Sequence, residues 1–435
     1  MRWLVVTLAL LAVALVLQLG LLAYALYALL GVIVLSRMLA DRWSAELAAT
    51  RTINRDHVKI GDSVAVVTVI ENRGWLPIPW LLLEDLLPRK ALQHKPPNLQ
   101  ITGRRLQLVS FSGRGRKTIS YQLKCNCRGY YQLGPLVAET GDVFGLYRRY
   151  RILSEPNFVL VMPDVVPLVG FDIASRRPIG EVRMTHRLFE DPTRIAGVRG
   201  YQAGDPFNRI HWRATARTGS LHSKIYEPST VAGATILLDF HEKSFVPQDE
   251  PVRSELAVTA AASLAGALTQ MGQQVGFITN GRDAAERIRR EGWTHDQLRT
   301  RREAQAAVAE KDNYRLQPVI VPTRRSNIQL RHILEALARL EKSDGLPFPQ
   351  LVQESASRMP HSATVIALLT TVTTEAALAL GNLRRRGLAV TAFVNVYDEM
   401  DFARIAGPLV AERIEVRQLR DRAGITRMCQ RLLLR

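Results

Sequence analysis

Residues 234–240 read ATILLDF, a continuous apolar run closed by an aspartate and an aromatic. Such a run has no polar face, so a strand made of it must be covered on both sides, as in a parallel sheet flanked by helices. The chain on either side of it fits that reading. SELAVTAAASLAGALTQMG (254–272) is an alanine-rich helix, with Ser254 placed to cap its start and Gly272 to stop it. QVGFITNG (274–281) is a second strand, and a mixed-charge stretch from 283 to 311 and HILEALARL (332–340) read as helices. ATVIALLT (363–370) is a strand, TTEAALALGNLRRRG (373–387) a helix and LAVTAFVNV (388–396) another strand. This alternation predicts an α/β doubly wound domain over 231–435.

Upstream the rhythm changes. DSVAVVTVIEN (62–72), LQLVSFS (106–112), KTISYQLKCNC (117–127) and FVLVMP (158–163) are β-rich runs separated by Gly, Pro and Asn turn signals. They predict a small antiparallel β-sandwich over 50–165, and residues 166–230 form a linker between the two domains. Asp41 to Arg51 reads as a short amphipathic connection.

The first 45 residues are of another kind. From Trp3 to Leu35 there is no charged side chain. At 1.5 Å per residue that run is about 50 Å long as one helix, against a hydrocarbon core of roughly 30 Å. Either one helix tilts strongly or two short helices turn near Gln18-Leu19-Gly20. Arg2 precedes the run and Arg37 and Arg42 follow it. Positive charge at both ends favours a transmembrane helical hairpin with both ends in the cytoplasm. A single span would let the folded part face outward. The apolar run is too long for a secretory signal.

The net charge of +18 in 435 residues raises nucleic acid as a partner, but the charge is spread. Ten Lys/Arg stand against four Asp/Glu from Ser175 to Ile225, and eleven against seven from Gly281 to Arg325. No nucleic-acid-binding signature occurs, so an anionic lipid bilayer and an acidic protein partner are the expected counterparts. Cys125 and Cys127 fall on one face of a strand and read as a reduced pair. No Walker A sequence is present, so the chain is not itself a P-loop ATPase.

Chemistry-bearing residue types concentrate in GYQAGDPFNRIHWRATARTGSLHSKIYE (200–227). Gly204-Asp205-Pro206 is a turn signal, NRIHWRATAR forms a short helix, and LHSKIYE alternates as a strand. His211 and His222 could serve as bases or ligands, but no activated nucleophile stands near them and their spacing across a helix-to-strand break does not fix a metal. Arg209, Arg213 and Arg217 could hold an anion. The reading that asks least is a clamp or docking surface: Asp205 accepts from Arg209 or Arg217, Lys224 and Glu227 lie on the strand, and Trp212 is a large apolar anchor.

This stretch, together with RGYYQLGPLVAETGDVFGL (128–146), resembles the bacterial family called domain of unknown function 58. The resemblance implies a membrane-tethered protein with a von Willebrand factor A-like domain, associated with cytoplasmic AAA+ ATPases of the MoxR type. That fold often carries a metal-ion-dependent adhesion site written DxSxS. Here the corresponding run is Asp239-Phe240-His241-Glu242-Lys243, with both serines replaced, Ser244 one residue late, and only Thr370, Thr371 and Glu375 on the later strand. Asp239 therefore marks a degenerate site, capping the following segment or pairing with Lys243, and no Mg²⁺ or other cofactor is expected. The expected function is a non-enzymatic scaffold or adaptor that docks such an ATPase for complex assembly or envelope maintenance. The alternative is a membrane-tethered, metal-dependent binder or enzyme acting on envelope components.

Overall fold

The computed structural model describes residues 2–93, 96–145, 147–168, 190–202, 210–228, 233–291, 316–360 and 363–428. They fall into two compact units. The first holds the described residues within 1–164, 282–312 and 334–341, and the second those within 165–281, 313–333 and 342–435.

The first unit opens with helices α1 (Arg2–Val16) and α2 (Gly20–Ala45), which pack through Leu11, Ala14, Ala23 and Leu26. Helix α2 is long and apolar enough to cross a membrane, while the apolar part of α1 is shorter, Leu4–Val16. Most other large side chains of the pair are exposed, among them Leu21 at 91% and Val16 at 82%. The expected amphipathic connection over 41–51 is corrected: α2 runs on to Ala45 and a strand begins at Leu47. The cause is packing, because Trp43 and Leu47 are buried with Ile70, Ile78 and Leu81 in a core that Leu39 also joins.

Eleven strands follow in this unit: β1 (Leu47–Ile53), β2 (His57–Lys59), β3 (Ser63–Asn72), β4 (Ile78–Asp85), β5 (Leu99–Gly103), β6 (Leu106–Phe111), β7 (Arg116–Cys125), β8 (Gly129–Leu133), β9 (Leu136–Gly141), β10 (Arg148–Ser154) and β11 (Asn157–Met162). They form sheets ordered β1-β3-β7-β5, β10-β9-β4-β6 and β2-β11-β8. Pairing is antiparallel throughout except β2 with β11. Strand β3 alternates buried and half-buried side chains, as its period-two sequence requires. Cys125 and Cys127 are not joined in a disulfide, and burial, with Asp62 nearby, pushes the Cys125 thiol up to about 11.

In the second unit β12 (Glu190–Gly200) pairs antiparallel with β13 (His222–Pro228). A six-stranded sheet follows, built from β14 (Gly233–Leu238), β15 (Gln274–Thr279), β17 (Val319–Arg324), β19 (Ala363–Leu369), β20 (Ala389–Val394) and β21 (Glu415–Gln418), ordered β17-β15-β14-β19-β20-β21. Two short strands, β16 (Arg282–Asp283) and β18 (Leu340–Glu341), pair with each other in the first unit. All neighbours in the six-stranded sheet are parallel except β15 with β17. The strand at 319–324 was not foreseen from the sequence; an antiparallel strand on the edge of a parallel sheet is a common way to end one.

All six residues of β14 are buried, which is what the ATILLDF run requires. Leu237, Val365, Ala367, Ala392 and Val394 join one core with the helices Phe348–Ser355, Thr374–Arg385 and Glu399–Ala411. Their strand neighbours Ile236, Leu238, Ile366, Leu368 and Phe393 are also buried but belong to the opposite face, by alternation. The helix Val252–Gln270 packs against β14, β15 and β19 outside that core. Ser254 is not its N-cap. The helix starts one turn earlier, after Pro251, and the Glu250 carboxylate takes the capping role by accepting from Ser254 N at 3.1 Å and Ser254 Oγ at 2.7 Å. Gly272 does stop it, with φ +69.

Candidate functional site

Strand β14 lies between β15 and β19, so the chain leaves it toward one side of the sheet and later returns on the other. In open α/β sheets this topological switch leaves a crevice beyond the carboxyl ends of the strands. Asp239 is the first residue beyond β14, and its N–H donates to the Leu368 carbonyl at 3.0 Å, which fixes it at that crevice. The side chain is 3% exposed. Its Oδ2 accepts from Ser244 Oγ at 2.6 Å; Oδ1 accepts from Asn280 Nδ2 at 2.8 Å and from His241 N at 3.2 Å. Asn280, just past the end of β15, also accepts from Phe240 N at 2.6 Å.

Burial pushes the Asp239 carboxyl above its usual range, and the donors from Ser244, Asn280 and His241 work against that shift. The partners of Asp239 are thus Ser244, Asn280 and the His241 N–H rather than Lys243, and the following 3₁₀ turn is capped not by Asp239 but by His241, whose Nδ1 accepts from Lys243 N at 3.1 Å. Ser244, one residue late for the DxSxS pattern, reaches back because residues 242–244 form a 3₁₀ turn. Thr370 is buried at the end of β19, while Thr371 and Glu375 are exposed. Among the described residues no group of three or more His, Cys, Asp or Glu side chains is placed to hold a metal ion.

A second polar lattice lies at the same end of the sheet and was missed in the sequence. Asn395, one residue past β20, donates from Nδ2 to the Arg253 carbonyl at 2.8 Å, and Arg253 Nη1 donates to Asn395 Oδ1 at 3.3 Å and to the Arg420 carbonyl at 2.8 Å. The Arg253 and Arg420 guanidinium groups lie 5.6 Å and 4.7 Å from the Tyr397 ring centre. An asparagine just past a buried strand, as in TN280 and VN395, is the sequence signal that could have marked both lattices.

The motif stretch is placed in part. Asp205 and Arg209 lie outside the described residues, and of Glu227 only its place in β13 is described. The helix expected from Asn208 begins instead at Trp212 and ends at Thr218. Ile210 is buried in a bridge to Ser223, which holds the chain extended up to the cap. His211 is that cap: its Nδ1 accepts from Ala214 N at 3.0 Å, so Nδ1 carries no proton in this arrangement. Gly219, with φ +73, ends the helix. His222 is held in the following turn, its Nδ1 2.8 Å from the Ser220 carbonyl.

Both imidazoles are thus engaged with the local backbone, and the two residues meet through the His211 N–H, which donates to the His222 carbonyl at 2.8 Å. Trp212 is 67% exposed, so the indole is a surface feature and not an interior anchor. Arg213 and Arg217, one turn apart, are exposed beside it, and Lys224 is half-buried on β13.

The other motif, 128–146, proves to be a set of backbone fasteners. Arg128 Nη1 donates to the carbonyls of Leu337 at 2.8 Å and Leu340 at 2.9 Å. Tyr131 Oη donates to the Cys127 and Arg128 carbonyls, both at 3.1 Å. At Gly134 a Cβ would stand 2.2 Å from Arg51 Nη1, whose guanidinium is buried against Asp85. At Gly141 a Cβ would stand 2.4 Å from the Tyr147 carbonyl oxygen. Asp142, 2% exposed, accepts from Phe144 N at 3.0 Å and Tyr147 N at 2.6 Å and so shapes the β9–β10 turn.

Residues 197–401, just under half of the chain, match the family described as "Protein of unknown function DUF58". A curated relative, the uncharacterized protein YeaD of Bacillus subtilis (strain 168), is 24% identical over 238 residues, 54% of this chain and 56% of that protein. The chain thus spans about half the length of the relative it matches. Among solved structures, the proximal thread matrix protein 1 of the mussel byssus aligns with TM-score 0.29 and 9% identity over 46% of each chain. A CARDB domain from Pyrococcus furiosus aligns with TM-score 0.18 and 15% identity over 27% of this chain and 94% of that one. At such TM-scores neither carries an argument.

Proposed function

We propose that this chain is a membrane-anchored, non-enzymatic scaffold whose DUF58 region docks a cytoplasmic AAA+ ATPase of the MoxR type. In this reading α1 and α2 form a transmembrane hairpin in the bacterial inner membrane, and the folded units face the cytoplasm. The six-stranded sheet is the von Willebrand factor A-like part. In this reading Asp239 serves as an internal fastener, which the donors from Ser244, Asn280 and the His241 N–H support.

The observation that carries the docking role is Trp212, 67% exposed beside Arg213 and Arg217 on a capped helix inside the family region. Exposed tryptophan and arginine are the residue types that dominate interface energetics, and they sit here on a short rigid element fixed at both ends. Arg209, Asp205, Lys224 and Glu227 belong to the same surface or to the clamp that shapes it.

The test is recovery of the ATPase on detergent-solubilised full-length protein. A fragment starting near Arg51 would cut β1 and remove Trp43 and Leu47 from the core, so it is not a suitable bait. Trp212→Ala and Arg217→Ala should each lower recovery at least tenfold, since loss of a central aromatic or arginine typically costs about 2 kcal/mol or more. Unchanged recovery with both would remove this helix from the docking site.

A further inference from the structure

We infer that the β9–β10 turn of the first unit, Asp142 to Gly145, inserts Val143 and Phe144 into the headgroup boundary of the bilayer that α2 crosses, so that this end of the β-sheets lies on the anionic membrane surface. The inference rests on the membrane-anchor reading of α2 and adds a second attachment to it.

The geometry comes from how α2 joins the sheets. Arg149 of β10 pairs with Asp41, and Arg151 Nη1 donates to the carbonyls of Ser44 at 2.6 Å and Ala45 at 2.7 Å. Moving along β10 from Arg149 to Arg151 therefore follows α2 from Asp41 to Ala45, and helix and strand run in the same sense. The turn that precedes β10 must lie toward the apolar, amino-terminal part of α2. At about 3.3 Å per strand residue, its tip is about 10 Å before Arg149. At 1.5 Å per helical residue, this corresponds to about seven residues of α2 before Asp41, near Val34 and Leu35. Those are the last residues of the uncharged run.

The tip carries what such a position selects. Val143 is 71% exposed and Phe144 69% exposed, an unusual pair to leave in water at the end of a hairpin. The turn is held in shape by Asp142 and by Trp80, whose Nε1 donates to the Asp142 carbonyl at 3.4 Å. Gly145 takes the positive φ of +74 that the turn demands. The presentation of the two side chains is thus built in before any membrane is met.

Two further turns reach the same end of the sheets, by register. Ile78, which starts β4, pairs with Phe111 at the end of β6, and β4 meets β9 with Leu81 opposite Thr140, so residues 73–77 and 112–115 lie at the Gly141 end. They present Trp75, 68% exposed, with Arg73 and Arg114, and Arg148 stands at the start of β10. Interfacial tryptophan with arginines is the composition expected of a surface facing anionic headgroups. Asp41, Glu71 and Glu139 lie nearby and pair with Arg149, Arg116 and Arg148 of the same surface, while Glu46 lies against Gly74.

The test uses full-length protein with Cys125, Cys127 and Cys429 replaced, in nanodiscs containing phosphatidylglycerol, with a nitroxide attached at Val143→Cys or Phe144→Cys. Labels at Leu29→Cys in α2 and at Leu106→Cys, at the opposite end of the sheets, serve as references. At 143 and 144 collision with oxygen should exceed collision with a water-soluble nickel chelate severalfold, as at 29 and opposite to 106. Chelate access at 143 and 144 equal to that at 106, with 29 protected, overturns the proposal and leaves the anchor intact. Chelate access at 29 as well overturns the anchor and the proposal together.

Discussion

Asp239 is an ionisable group taken out of water and surrounded by donors, and its substitutions separate charge from hydrogen bonding. Because its folded pKa is raised, the charged form is disfavoured in the fold. The contribution to stability is then fully present below the pKa of the unfolded chain and is lost as pH rises from there through the raised folded pKa. Asp239→Asn can keep two acceptor contacts and donate to Ser244, so unfolding by urea should show stability at pH 7 unchanged or raised, with this pH slope removed. Asp239→Ala leaves Ser244 and Asn280 without their acceptor and should cost about 1–3 kcal/mol in the same measurement. The sequence made Asp239 legible as a strand-end residue. Its partner Asn280, 41 residues away, was not, because only the parallel pairing of β14 with β15 brings the two together.

At the level of elements, the capped helix Trp212–Thr218 and the Gly141 turn are both set by single side chains or their absence. His211→Ala should weaken the helix by about 1 kcal/mol, read as faster amide exchange at Ala214, whereas His211→Asn should restore protection because asparagine is a strong N-cap. Gly141→Ala drives a methyl into the Tyr147 carbonyl and the Trp80 ring and should lower the melting temperature, with loss of exchange protection centred on β9 and β10. Periodicity identified β3, β6, β7, β11, β14, β15, β19 and β20 because each has a run long enough to show its pattern. It misread what lies beside strong signals. Ser254 looked like a cap because serine usually is one, yet Glu250 four residues earlier holds the role. The end of α2 looked like a connection because its charges, Arg42 and Asp41, face outward while Trp43 is buried.

For the molecule as a whole, the sequence separated an apolar start, a β-rich part and an α/β part, all of which are present. What composition could not supply is that the end of α2 is built into the core of the β-rich unit, through Leu39 and Trp43. Lengthening the junction by two glycines between Ala45 and Glu46 should destabilise the first unit, because Trp43 and Leu47 could no longer both reach their core; limited proteolysis of the detergent-solubilised protein would show it.

The proposed docking role is tested most directly by purifying the chain in mild detergent from the cells that make it, with Trp212 intact or replaced by alanine, and weighing the AAA+ ATPase recovered per mole of bait. Recovery with the native chain and at least a tenfold loss with Trp212→Ala is the expected result. An ATPase recovered equally with both, or with neither, would contradict it.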